Sequence, residues 1–398
     1  MSAQDTKVSW DPYDPTLYAD PYPTFRRLRE EAPLYYNEKH DFYALSRAAD
    51  IERGLPDWQT FSSARGGILE LIKSGIEIPP GTLIFEDPTI HDVHRRLLAR
   101  VFTPRRVAEL EPRVREYCVR TLDPLVGAGR FDLAATVGAE MPMRVIGMLL
   151  GIPEADQEVV RESADENLRT RDDGKMDFKG GAILSNEVFG DYIDWRMEHP
   201  SDDLMTELLN AEFEDEDGTR RTLTRDEVLT YVTVVAGAGN ETTGRLIGWC
   251  GSLLARYPGE RRRLVEDPSL IRNAIEEVLR FEPPGPAIAR YVTRDVEFHG
   301  ETVPGGSAMM FIVAAANRDE SRFPDPDRFD VHRRMSQQIT FGLGPHYCLG
   351  AALARLEGRV ALEEMLKRFP DWDVDWDAAK LAQTSTVRGW ETLPLIIG

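Results

Sequence analysis

The sequence predicts a mainly α protein with small β-sheets beside the helices. Three observations carry this. Apolar residues recur at three- and four-residue spacing along most of the chain. One capped stretch of about 33 residues reads as a single long helix. The strand-like stretches are short and bounded by glycine or proline.

Taken in chain order, "PYPTFRRLREEAP" (21–33) and "PRRVAELEPRVREYCVRTLDPLV" (104–126) have the helical period. The acidic "AEFEDEDGTRR" (211–221) reads as a surface loop. The longest helix is expected from "LTRDEV" at 223 to "ARYPGE" at 255–260. Thr224 and Glu227 form a capping box there, and Pro258 with Gly259 supply the stop. At 1.5 Å per residue it spans roughly 50 Å, enough to cross a whole domain. Strands are expected in "DFYALS" (41–46), "RDVEFHGETVPGGSAMMFIVAAAN" (294–317) and "ETLPLII" (391–397). No repeat, low-complexity block or linker interrupts the 398 residues, so 1–398 is read as one domain without a membrane anchor.

Composition narrows the function classes. With 42% hydrophobic residues the chain can bury a large core. A net charge of -20 argues against nucleic acid or an anionic membrane surface as a general partner. Three cysteines make no disulfide framework and leave at least one unpaired, which fits a reducing, cytoplasmic setting. The first residues lack the basic-then-apolar order of a signal peptide, and no apolar run reaches the roughly 18 to 20 residues needed to span a bilayer.

One cysteine stands in an unusual place. In "FGLGPHYCLG" (341–350), Gly342, Gly344 and Gly350 permit positive φ and close backbone approach. Cys348 lies just before "LGAALARLEGRVALEEML", where Leu349, Leu353, Leu356 and Val360 share a helical face. Amide donors and the dipole at a helix N-terminus favour a thiolate. Such a group suits a nucleophile or an iron ligand.

The pattern Phe341-Gly342-x-Gly344-x-His346-x-Cys348-x-Gly350 resembles the haem-ligand loop of the cytochrome P-450 superfamily. The resemblance implies that fold: a triangular, prism-like helical body with haem b between a long distal helix and the cysteine loop. It makes Cys348 the axial iron ligand, with Phe341, Gly342 and Gly350 shaping the loop. Cys118 and Cys250 match no motif and read as core thiols.

Further stretches agree in order and spacing, from "DPYPTFRRLREEAP" to the "RGWETLPL" tail. "AGAGNETTGR" (236–245) puts glycines inside a helix, at up to about 1 kcal/mol each against alanine. It resembles the family's oxygen-binding groove, with Ala238 and Gly239 beside the cofactor and Glu241 and Thr242 passing protons. A close helix–helix contact through small residues is the other reading. A dinucleotide fingerprint does not fit, because Gly237-x-Gly239 lacks its third glycine and follows no strand. Glu277-x-x-Arg280 with Arg328 resembles the family's structural triad, a scaffold rather than chemistry. His91, Arg95, Arg290 and His346 match its propionate contacts. His94 stands where the family more often has an apolar residue, and either solvent or another polar contact fits it.

The resemblance implies a haem-thiolate monooxygenase that takes O2 and two external electrons. The expected donor is a ferredoxin with its NAD(P)H-dependent reductase, meeting a monomer at a patch of Arg95, Arg96, Arg100, Arg105, Arg106, Arg333, Arg334, Arg355 and Arg359. The segments expected to line the pocket, 63–86, the helix near Val235, "PGPAIA" and "QTSTV", are largely aliphatic, with Lys73 the nearby cation. They favour a small neutral apolar substrate such as a terpenoid, steroid or fatty acyl chain over a small aromatic acid. A haem-thiolate peroxygenase or isomerase would use the same cysteine but commonly lacks the acid–threonine pair. A haem sensor would need an output domain, and a cysteine hydrolase would need a histidine base beside the thiol.

Overall fold

The computed structural model describes residues 7–78, 80–157, 189–215, 217–335, 337–382 and 384–398. The helices that position the site are α1 (Tyr22–Glu31), α2 (Ile90–Ala99), α3 (Pro104–Leu122), α4 (Ala139–Leu150), α5 (Arg225–Arg256), α6 (Ile271–Phe281) and α7 (Ala351–Arg368). The expected capping box opens α5. Thr224 Oγ1 accepts from the Glu227 amide at 3.3 Å, and the Glu227 carboxylate accepts from the Thr224 amide at 2.7 Å. The helix stops at Tyr257, directly before Pro258.

The glycines inside α5 have a packing reason. A Cβ at Gly244 would stand 2.4 Å from the Gly138 carbonyl oxygen, and one at Gly239 would stand 2.6 Å from Ile146. Small residues therefore let α5 cross α4 and the turn before it at close range. Indole donors then tie the far end of α5 to the C-terminal strands, with Trp372 Nε1 donating to the Gly251 carbonyl and Trp390 Nε1 to Ser252 Oγ. The main core lies where α3, α5, α6 and α7 meet, around Leu246, Ile275, Val360 and Met365.

Two sheets flank this helical body. The larger takes β1 (Leu34–Asn37), β2 (Phe42–Leu45), β3 (Phe61–Ser62), β5 (Ile288–Val292) and β6 (Ala308–Phe311) in the order β1-β2-β6-β5-β3. Only β2 and β6 run parallel. The smaller joins β4 (Arg130–Asp132), β7 (Trp372–Val374) and β8 (Pro394–Ile397) as β7-β8-β4. Fold class and helix bounds agree with the sequence.

Two local expectations change. The 294–317 stretch is a short hairpin, then β6, then a buried helical turn over Val313–Ala316, since its alanines prefer a turn of helix to a strand. The 211–221 stretch carries a two-residue hairpin, Phe213–Glu214 against Arg220–Arg221, closed by the Thr219 and Asp217 amides on Asp215. Among the described residues, no helix is long and apolar enough to cross a membrane.

Candidate active site

The cysteine loop is a tight reversal fixed by its own backbone. The Cys348 amide donates to the Phe341 carbonyl at 2.8 Å, and the Gly342 amide to the Ile339 carbonyl at 2.8 Å. Gly344 has φ 73°, and a Cβ there would meet Pro56 Cα at 2.7 Å, so only glycine fits. Helix α7 begins three residues after Cys348. The thiol faces a cavity of about 400 Å³ lined by Phe341, Gly342, His346 and Gly350 on this side. Cys348 is exposed to that cavity while protein surrounds it. Burial pushes the thiol up, against the opposing pull of the Gly350 amide and the Arg95 and Arg355 charges. The helix terminus alone therefore does not make it a thiolate, and a cationic ligand would have to supply the rest. Cys118 and Cys250 are core thiols, both pushed up to about 12 by burial.

Beside the loop stand two imidazoles and two guanidinium groups, those of His91, His346, Arg95 and Arg290. The His91 and His346 rings lie 4.3 Å apart, and neither Nε2 has a hydrogen-bond partner. Burial, then the Arg290 and His91 charges, drives His346 down to about 3. His91 is fully buried, and its Nδ1 lies 3.2 Å from Asp92. Arg95 donates to the Tyr347 carbonyl at 2.5 Å. Arg290 is 6% exposed, bonds only its neighbour's carbonyl on Ala289, and is lowered to about 10 by burial, with the Asp87 charge opposing. Arg290 is not part of the cavity wall, whereas His91, Arg95 and His346 are.

Across the cavity, α5 presents Val235, Ala238, Gly239, Thr242 and Thr243. Thr242 Oγ1 donates to the Ala238 carbonyl at 2.9 Å, so the hydroxyl sits at the wall rather than bridging to Glu241. Glu241 is outside the wall, its Oε1 held at 2.8 Å by Arg245, which also bonds the Trp390 carbonyl. The acid that does face the cavity is Glu357, which sequence reasoning missed. It is 1% exposed, Oε2 has no partner, and burial raises the carboxyl to about 8. The available signal was its helical register, since Gly350, Leu353, Ala354 and Glu357 fall on one stripe of α7.

The triad needs one correction. Glu277 and Arg280 are fully buried and joined by two bonds of 2.7 and 2.8 Å. The third member is Arg333, whose Nε reaches Glu277 at 3.1 Å. Arg328 turns its side chain to solvent at 62% exposure and offers only its carbonyl to Arg280 and Arg333. The chain turns at 331–333, which brings a residue five positions later onto Glu277.

The arginine patch also shrinks. Arg105, Arg106, Arg333, Arg355 and Arg359 are paired with glutamates, leaving Arg96, Arg100 and Arg334 exposed without an acidic partner among the described residues. Of the expected pocket segments, Leu83, Ile84, Val235 and Pro284–Gly285 reach the wall. Thr384, Ser385 and Val387 do not, and Gln383 lies outside the described residues. Lys73 is held by Asp41 at 2.7 Å, away from the cavity. His94 points inward, bonded to Glu86 at 2.7 Å.

Comparison with known proteins places this arrangement. The family model described as Cytochrome P450 matches residues 183–380. The chain is 36% identical over 400 aligned residues to "Putative cytochrome P450 123" of Mycobacterium tuberculosis, covering 99% of this chain and 98% of that one. It is 35% identical to "Vitamin D(3) 25-hydroxylase" of Pseudonocardia autotrophica, covering 98% and 96%. Among solved structures, cytochrome P450 CYP109Q5 from Chondromyces apiculatus superposes with a TM-score of 0.87 at 34% identity, covering 98% of both chains. Sequence, fold and the cavity facing Cys348 thus converge, and the chain belongs to the cytochrome P450 family of haem-thiolate monooxygenases.

Proposed function

We propose that the cavity would hold haem b through the Cys348 sulfur, and that the enzyme oxidises a small neutral apolar substrate. The observation that carries this is the Cys348 thiol facing Ala238, Gly239 and Thr242 across one cavity. The donor set fits the group. A soft sulfur is available to iron, and the unpartnered Nε2 atoms of His91 and His346, with Arg290 bonded to the Ala289 carbonyl, are donors that propionates would engage. When bound, haem-thiolate activates O2 with two external electrons, placing one oxygen in the substrate by hydroxylation, epoxidation or O-dealkylation and reducing the other to water.

The chain's own residues supply position, protons and dryness. His91, Arg95 and His346 on the wall, with Arg290 behind it, would hold the propionates, and Phe341, Gly342 and Gly350 would fix the sulfur. Thr242 holds a proton at Oγ1 on the cavity wall, with Glu241 beside it as the acid reservoir. Leu83, Ile84, Val234, Val235 and Ile288 exclude water and offer no charge to a carboxylate substrate. This favours a terpenoid, steroid or fatty acyl chain, in keeping with a relative described as a vitamin D(3) 25-hydroxylase. Electrons come from a separate ferredoxin and its NAD(P)H-dependent reductase, docking on the side of Arg96 and Arg100. Residues 1–398 act as one catalytic unit, a monomer.

A Soret band in the purified protein separates this reading from a cysteine hydrolase. A substrate panel read by the ferric spin-state shift then tests the substrate class. Neutral terpenoids, steroids or acyl chains should shift it at micromolar levels, and a response confined to small aromatic acids would overturn that assignment.

A further inference from the structure

A buried polar cluster lies apart from the groups assigned above. Glu86 and His94 are only 9% and 5% exposed, and Glu86 Oε2 lies 2.7 Å from His94 Nδ1. Either group alone at that depth would be costly, so each depends on the other. The other Glu86 oxygen, Oε1, accepts from the Gly81 amide at 2.7 Å, which folds 81–86 into a closed loop. The His346 ring meets the Glu86 main chain. Glu86 is therefore the hub between this loop, helix α2 and the cysteine loop.

The loop carries two cavity-wall residues, Leu83 and Ile84. Leu83 is 4% exposed and Ile84 is 42% exposed, so the wall opens at Ile84. On the far side the loop abuts α5, where a Cβ at Gly81 would stand 3.8 Å from Thr230 Cγ2. The next residue, Tyr231, is fully buried and sets its ring edge-on to His94 at 5.6 Å. Its hydroxyl has no hydrogen-bond partner. Burial raises the phenol first, and the Glu86 charge raises it further, which places Tyr231 within electrostatic reach of that carboxylate.

We propose that Glu86 and His94 are positioning residues that latch the 81–87 loop across α2 and α5, with Tyr231 as a reserve donor to Glu86, and that this latch sets how fast an apolar ligand leaves the cavity. The inference rests on the cavity being the substrate chamber. Breaking the bond frees Leu83 and Ile84 to swing from the wall, which acts on dissociation more than on association.

The test uses haem-loaded protein and 4-phenylimidazole, a neutral apolar probe followed at the Soret band by stopped flow. His94→Phe keeps a ring against Tyr231 but removes the bond, and should raise the dissociation rate about tenfold. Glu86→Gln keeps an oxygen for the Gly81 amide and offers its NH2 as a donor to a neutral His94 Nδ1, and should stay within about threefold. Adding Tyr231→Phe to His94→Phe should raise the rate further, because the reserve donor is gone. If His94→Phe does not load haem, His94→Leu reports instead, its side chain having no donor for Glu86. A dissociation rate within about twofold of wild type in the folded, loaded variant overturns the latch. A wild-type protein without a thiolate-type spectrum would instead sink the functional reading.

Discussion

Glu357 is a buried acid whose charge state the fold controls, and Glu357→Gln makes that control measurable. The side chain is 1% exposed, Oε2 has no partner, and burial alone raises the carboxyl from 4.5 to about 8. The folded protein therefore keeps this proton in a range where the unfolded chain has lost it. Stability contributed by the group is complete below about pH 4.5 and is lost as pH rises toward about 8. At about 1.4 kcal/mol per pH unit the loss has a ceiling of about 5 kcal/mol. Side-chain rotation and water entering the cavity should reduce it to about 2 to 3 kcal/mol. Gln keeps the shape and cannot ionise. Urea melts of wild type and Glu357→Gln, compared at each pH from about 5 to about 9, should show the variant gaining on wild type by that amount at the alkaline end. Taking the difference at each pH cancels the titration of every other carboxylate. A difference that stays flat would mean Glu357 is ionised and solvated in the folded protein, and the burial argument would be wrong.

Thr242→Ala removes the only hydroxyl that α5 holds on its Ala238 carbonyl at the wall, and should uncouple NAD(P)H use from product, measured as peroxide released, with substrate affinity unchanged. Arg333→Ala strips a buried carboxylate of one partner and should lower stability by about 3 kcal/mol, whereas Arg328→Ala should cost under about 0.5 kcal/mol by denaturant melts. Arg96→Glu with Arg100→Glu should slow first-electron transfer from a ferredoxin at low salt and leave the substrate spin shift intact.

Much of this molecule was legible in the sequence because short-range rules govern it. The capping box at Thr224, the stop at Pro258 and the glycine-spaced loop before Cys348 are local patterns, and each appears where the residues put it. The glycines of 236–245 admit two readings, and the structure shows the helix contact. Gly239 and Gly244 carry the helix crossing while Ala238, Gly239 and Thr242 line the cavity. What the sequence did not disclose depends on contacts between distant segments. Arg333 rather than Arg328 completes the triad because of how the chain turns after Asp330. Four of the nine arginines near the motifs, Arg106, Arg333, Arg355 and Arg359, meet glutamates on other elements, as Arg359 meets Glu111. The Glu86–His94 bond follows from packing of the 81–86 loop against α2 and α5, which no spacing rule encodes, whereas Glu357 was signalled by its register on α7.

The central claim is that Cys348 is the iron ligand, and the carbonyl spectrum of the reduced protein tests it most directly. Wild type should show the strongly red-shifted Soret band of a thiolate-bound, carbonyl-ligated haem, and Cys348→Ser should lose that shift even where haem is retained. A Cys348→Ser protein that keeps the thiolate-type band would contradict the assignment and, with it, the reading of the cavity.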